Sequence, residues 1–203
     1  MKTIKSISLA LALILISGVS YAQVNFGLRT GAAATTFANK GDITDNSNIT
    51  FSFTGGGFVD IPLSKSLSLQ PEINYVRKGR SDETEELSTI TATDFMVHYL
   101  QIPVLLQLKD AKMFEKSGSA FFINAGPYAG FALNNQISPS GNVPVSDSKN
   151  TDWGVTFGIG FQTPIFKNDI RFDLRYDMGL SEIANQPVDY RTKALSLTVG
   201  IIL

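Results

Sequence analysis

The chain is expected to fold as an all-β protein, an eight-stranded antiparallel up-and-down transmembrane β-barrel. Three observations lead there. The first is the stretch Ile170 to Leu180, where Ile170, Phe172, Leu174, Tyr176, Met178 and Leu180 alternate strictly with Arg171, Asp173, Arg175, Asp177 and Gly179. Period-two alternation is the mark of a strand with two unlike faces. Here one face is wholly apolar, the other carries full charges, and eleven residues suffice to cross a bilayer core as a tilted strand. The second is that seven further segments repeat the alternation with no helix signal between them, so that successive strands pair as a meander. The third is the spacing. Short connectors alternate with long polar ones, the layout of a barrel with short periplasmic turns and long outer loops.

The chain opens with Met1-Lys2-Thr3-Ile4-Lys5, an apolar run from Leu9 to Ile16, and Ser20-Tyr21-Ala22. A basic start, a short apolar core and a small-residue end describe a secretory signal peptide, so residues 1–22 are expected to be removed, leaving 23–203 as the barrel domain. Strand one runs from Val24 to Phe37, with Val24, Phe26 and Leu28 alternating with Asn25, Gly27, Arg29 and Gly31. A polar loop from Ala38 to Asn48 follows. Its Asp42, Asp45, Asn46 and Asn48 lack the terminal glutamate of a calcium loop and read as a plain turn.

Strand two, Thr50 to Ile61, puts Phe51, Phe53, Gly55, Gly57, Val59 and Ile61 on one face and Ser52, Thr54, Gly56, Phe58 and Asp60 on the other. The run Gly55-Gly56-Gly57 has neither the lysine nor the helix of a phosphate loop. It is expected to serve close packing in a curved sheet. Strand three, Ser66 to Arg77, separates Leu67, Leu69, Pro71, Ile73 and Tyr75 from Gln70, Glu72 and Asn74. Lys78 to Thr93 reads as a long charged loop, solvated rather than cation-binding.

Strand four, Met96 to Leu108, sets His98, Leu100, Ile102, Val104, Leu106 and Leu108 against Tyr99, Gln101, Pro103, Leu105 and Gln107. The connector Lys109 to Gly118 has room for one helical turn. Strand five, Ser119 to Leu133, contains Pro127, which lacks an N–H and predicts a bulge or local break. After a loop rich in Asn, Ser and Pro, strand six, Asp152 to Thr163, shows Trp153, Val155, Phe157, Ile159 and Phe161 on one face. Strand seven is the stretch described first. Strand eight, Arg191 to Leu203, alternates Leu195, Leu197, Val199, Ile201 and Leu203 with Ala194, Ser196, Thr198, Gly200 and Ile202.

The polar faces set the orientation. A soluble ligand carrier would turn its apolar faces inward. Here the polar faces hold Arg29, Asp60, Glu72, Arg171, Asp173, Arg175 and Asp177, and these are expected to form a structural charge network inside the lumen. Eight strands enclose a space just wide enough for side chains, which predicts a filled lumen without an aqueous channel.

Composition narrows the function. The 203-residue chain has no cysteine and one histidine, so disulfides are out and a metal centre has no ligand cluster. Loss of Lys2 and Lys5 with the signal peptide leaves acidic residues in slight excess, which offers nothing to nucleic acid. No catalytic set can be assembled around His98, which falls on the lipid-facing side, so no catalytic, cofactor or metal residues are assigned.

The segments Gly27–Ala32 (GLRTGA), Gly57–Leu63 (GFVDIPL), Leu67–Tyr75 (LSLQPEINY), Tyr99–Leu106 (YLQIPVLL), Ala125–Gly130 (AGPYAG), Gly154–Gly160 (GVTFGIG) and Arg171–Leu180 (RFDLRYDMGL) together resemble the outer-membrane β-barrel proteins common in Bacteroidetes, often labelled "porin family" or PorT-like. The resemblance covers essentially the whole mature chain. It implies residence in a Gram-negative outer membrane, lipid and the barrel assembly machinery as partners, and no defined activity. Some PorT-like members are associated with a secretion system. Such barrels usually end in an aromatic residue, whereas this chain ends Ile201-Ile202-Leu203. The leading expectation is a small non-enzymatic barrel with periplasmic termini. Its long loops would serve envelope structure, adhesion or an extracellular or envelope protein partner. The alternatives are a secretion-system component or a soluble exported barrel for a small apolar ligand.

Overall fold

The computed structural model describes residues 24–39, 49–86, 89–110, 118–137, 151–181 and 190–203. The signal-peptide segment, the calcium candidates Asp42, Asp45, Asn46 and Asn48, and the helical turn expected near residues 111–117 lie outside them. Eight strands close into one barrel in sequence order. They are β1 (Asn25–Asn39), β2 (Thr50–Pro62), β3 (Leu67–Glu86), β4 (Thr89–Asp110), β5 (Ala120–Ile137), β6 (Thr151–Ile165), β7 (Asn168–Gly179) and β8 (Tyr190–Ile202). Every neighbouring pair is antiparallel, and the seam is sealed by β1 on β8 from Gly27↔Ile202 to Asn39↔Tyr190. The chain termini share a rim with the turns after β2, β4 and β6. The tightest of these is Phe166–Lys167, where Phe166 adopts φ 58°, a left-handed conformation costly for an aromatic residue.

One expectation needs correction. The segment from Lys78 to Thr93 is no loop: β3 continues to Glu86 and β4 begins at Thr89, paired in unbroken register from Asn74↔Gln101 to Glu86↔Thr89. The β2–β3 ladder ends at Thr54↔Val76, so this hairpin rises past its β2 neighbour. The polar composition misled because residues 79–86 hold no large apolar side chain, so a period-two alternation has nothing to show there. The local break expected at Pro127 is found, on one side of β5 only. The β5–β6 ladder passes through Pro127↔Val155 unbroken. On the other side, the β4–β5 ladder stops at Leu106↔Ala125 and resumes at Pro103↔Tyr128 in the same register. The break is local and the missing proline N–H accounts for it. The register shift lies farther up, between His98 and Tyr99.

The faces follow the phases read from the sequence. Phe51 (78% exposed), Phe53, Ile73, Ile123, Phe157, Ile159, Leu174 and Leu197 point outward, while Tyr99, Leu105, Gln107, Asp60 and Glu72 are buried inside. A soluble barrel holding an apolar ligand would need the reverse, and that alternative is set aside. A continuous outward apolar band with buried charges behind it is a surface for lipid. An arginine placed at Leu174, midway along β7, is expected to cost about 2–4 kcal/mol, read as a lower midpoint for urea unfolding from lipid vesicles.

Space inside is made by glycine. A Cβ on Gly27 would fall within the Phe58 ring, and one on Gly160 within Phe122. Removing these two Cβ positions lets two aromatic rings lie across the lumen.

Candidate functional site: the charged lumen

Inward alternation on β1, β3 and β7 delivers the central cluster. Arg29 Nη1 donates to Glu72 Oε2 at 3.0 Å, and Arg175 grips the same carboxylate with two bonds of 2.7 and 2.8 Å. Arg175 Nε also reaches Asp173 at 2.8 Å, and its Nη2 lies 2.6 Å from the same carboxylate. Asn74 donates to Glu72 at 2.8 Å, and Gln70 donates to its other oxygen. One carboxylate on β3 thus takes two guanidiniums, Arg29 from β1 and Arg175 from β7 across the lumen. The Glu72 side chain is fully removed from water, and so nearly are both arginines. Paired and multiply hydrogen-bonded charges are the form in which ions survive such burial.

Toward the turn rim, Arg171 donates to Gln70 at 2.9 Å and to Gln107. Its guanidinium lies over Phe122 and Phe58, 4.3 and 5.0 Å from the ring centres, a cation–π sandwich. Below it Lys109 pairs with Asp60 at 2.5 Å. Toward the loop rim, Asp177 accepts from Thr156 at 2.7 Å and from Gln101 at 3.1 Å. Beyond it stands a second cluster. Lys78 Nζ meets Asp152 Oδ2 at 2.8 Å, with both side chains almost fully buried. Asp152 also accepts from Ser181 at 2.6 Å, Thr192 at 3.1 Å and the Tyr128 hydroxyl at 3.2 Å. The Lys78 ammonium lies over the Tyr128 and Tyr99 rings, at 4.8 and 5.5 Å.

Between the central and outer clusters lies a cavity of about 20 Å³, bordered by Arg29, Asn74, Gln101, Thr156 and Asp177. That is room for about one water molecule. Arg29 Nε and Asn74 Oδ1 are buried without a protein hydrogen-bond partner.

This barrel geometry agrees with what comparison with known proteins finds. Residues 20–185 match the family described as "Outer membrane protein beta-barrel domain". The chain belongs to that family. It is therefore an outer-membrane β-barrel protein, and the rim carrying its termini and short turns is the periplasmic one. The match carries the barrel part of the resemblance drawn above and not its narrower Bacteroidetes or PorT-like part. No curated protein matches the chain. Among solved structures, Neisserial surface protein A is 16% identical, with a TM-score of 0.51 over 87% of this chain and 96% of that one. The outer membrane protein OprG from Pseudomonas aeruginosa is 12% identical, with a TM-score of 0.52 over 88% and 95%. At such identities the likeness is one of fold.

Within this barrel all seven lumen residues expected from the sequence face inward. Arg29, Glu72, Asp173 and Arg175 share one cluster, while Arg171, Asp60 and Asp177 bond to other partners above and below it. Sequence reasoning missed Lys78, Lys109 and Asp152 as members. By composition Lys78 belongs with the charged stretch that follows it and Lys109 with the connector. Asp152 opens strand six out of phase with its apolar face and carries no role in the sequence reading. The signal for Lys78 was phase: it continues the even-numbered set Gln70, Glu72, Asn74, Val76. His98 lies outside, where its Nδ1 meets the Tyr75 hydroxyl.

Proposed function

We propose that this protein is a small, non-enzymatic outer-membrane barrel whose lumen is a structural plug and whose work is done at the outer rim, through contacts with an extracellular or envelope protein. The observation that carries this reading is the stack of hydrogen-bonded charges through the barrel: Lys109–Asp60, Arg171–Gln70, Arg29–Glu72–Arg175–Asp173, then Lys78–Asp152. Each level ties strands that are not neighbours, as struts do. Arg29, Asp60, Glu72, Arg171, Asp173, Arg175 and Asp177 act here as structural groups. The β3–β4 hairpin, rising past β2, supplies a ribbon clear of the membrane for a partner. Residues 1–22 serve export, and the assembly machinery inserts the remainder.

The test is electrical. Purified protein reconstituted in planar bilayers is expected to give no stepwise ion conductance at moderate voltage. Sustained single-channel steps would overturn the plug and restore a transport reading.

A further inference from the structure

The outward face of β8 changes character part-way up. From the periplasmic rim it reads Leu203, Ile201, Val199, Leu197 and Leu195, then Lys193 and Arg191. The apolar part spans about 20 Å along the barrel axis at the usual rise and tilt, close to the height of the lipid-facing band of such barrels. Lys193 and Arg191 therefore stand where hydrocarbon gives way to headgroups in the outer leaflet. Being two residues apart on one strand, they share a face, and both are half-buried. The same change occurs at the same height elsewhere: after Tyr75 the outward face of β3 presents Arg77, and after Leu100 that of β4 presents His98. Among the described residues no carboxylate points outward at this level. Neither Arg191 nor Lys193 belongs to any described ion pair, and Arg191 Nε is buried without a hydrogen-bond partner.

Beside this pair runs an apolar surface. Lys193 lies opposite Thr36 on β1 and Met178 on β7, and the next outward positions are Leu195 against Ala34 and Tyr176. Ala32 and Ala34 are small, with Leu195 and Leu197 on one side and Phe53 and Phe51 on the other. A cationic end and an apolar track beneath it fit one kind of occupant, an amphiphile with a negatively charged head.

We propose that Arg191 and Lys193 bind the phosphate of an outer-leaflet lipid whose acyl chains lie along the β8–β1–β2 face. Two amino-acid cations at the level of the headgroups pair with phosphate oxygens, and arginine offers the fork that suits them. This assignment rests on the outer-membrane location and is independent of the plugged lumen, so channel activity would leave it intact.

The experiment is native mass spectrometry of the detergent-solubilised protein titrated with diphosphorylated lipid A, with the same lipid after dephosphorylation, and with inorganic phosphate. The wild type is expected to retain the phosphorylated lipid preferentially. R191A/K193A is expected to lose roughly thirtyfold in apparent affinity, while R191K/K193R keeps it. A heat-dependent gel shift confirms that each variant is folded; should the double alanine variant lack it, K193Q alone is read by the same criterion. Equal retention by wild type and variant, or equal retention of the dephosphorylated lipid, overturns the proposal. Displacement of the lipid by inorganic phosphate at equal concentration would also overturn it, since the site would then be one for free phosphate.

Discussion

Glu72→Gln is expected to be among the most damaging single substitutions in this barrel, costing about 3–5 kcal/mol, because it leaves two buried guanidiniums facing one neutral amide. In the native protein the carboxylate takes three bonds from Arg29 and Arg175 and further ones from Asn74 and Gln70. Glutamine keeps the shape and loses the charge, so the effect isolates electrostatics from packing. The sign of a second change is also determined. Arg29→Met in the E72Q background removes the surplus cation and leaves Arg175 paired with Asp173, so the double variant should be more stable than E72Q alone. Arg29→Met in the wild type should be destabilising, since it unbalances a neutral set. Urea titrations of the four proteins in lipid vesicles, read by the heat-dependent gel shift, complete the cycle. A double variant at or below the stability of E72Q would show that the two arginines do not share Glu72 energetically.

Asp152→Ala is expected to cost a comparable amount, about 3–5 kcal/mol, at the other end of the lumen. It strands the Lys78 ammonium, whose side chain is almost fully buried. It also removes the acceptor of Ser181, Thr192 and Tyr128. Because those partners lie on or after β5, β7 and β8, the loss should loosen the outer mouth first. Amide exchange near Gly130, Gly179 and Thr192 should quicken while exchange near Asp60 and Gln107 stays slow. Pairing D152A with Lys78→Met should recover much of the loss, because an unbranched apolar chain suits a position between two tyrosine rings. Uniform acceleration along the whole barrel would mean that the two clusters form a single cooperative unit.

The fold was legible because a membrane barrel writes its two solvents into alternate residues. Phe51, Phe53 and Ile159 meet lipid while Asp60, Glu72 and Arg175 meet one another, and every strand between the rims repeats the rule. Legibility ended beyond Lys78. Gly79-Arg80-Ser81-Asp82-Glu83 carries no apolar–polar alternation, and its strand character shows only in the ladder. The inward residues were readable one by one, but their pairing was not. Glu72 and Arg175 are 103 positions apart, and Lys78 and Asp152 are 74 apart. Which of several inward cations meets which carboxylate depends on the stagger between strands, and that is set by the ladder as a whole. Lys109 escapes the sequence reading because it is the last residue but one of β4, where strand and connector are indistinguishable by composition.

The seam between β1 and β8 has a kinetic consequence. Seven of the eight ladders join strands that follow one another, and each closes a loop of modest length. The eighth brings Gly27 to Ile202, nearly the two ends of the chain. Its entropic cost falls only once the intervening hairpins are in place, so closure comes last. Until then two strands present unsatisfied backbone edges, the state in which sheet proteins aggregate. Glu72 on β3 cannot hold Arg29 from β1 and Arg175 from β7 together before the sheet has closed, so the charge strut and the seam lock together. Insertion of this barrel is therefore a process whose final step carries both its hazard and its reward.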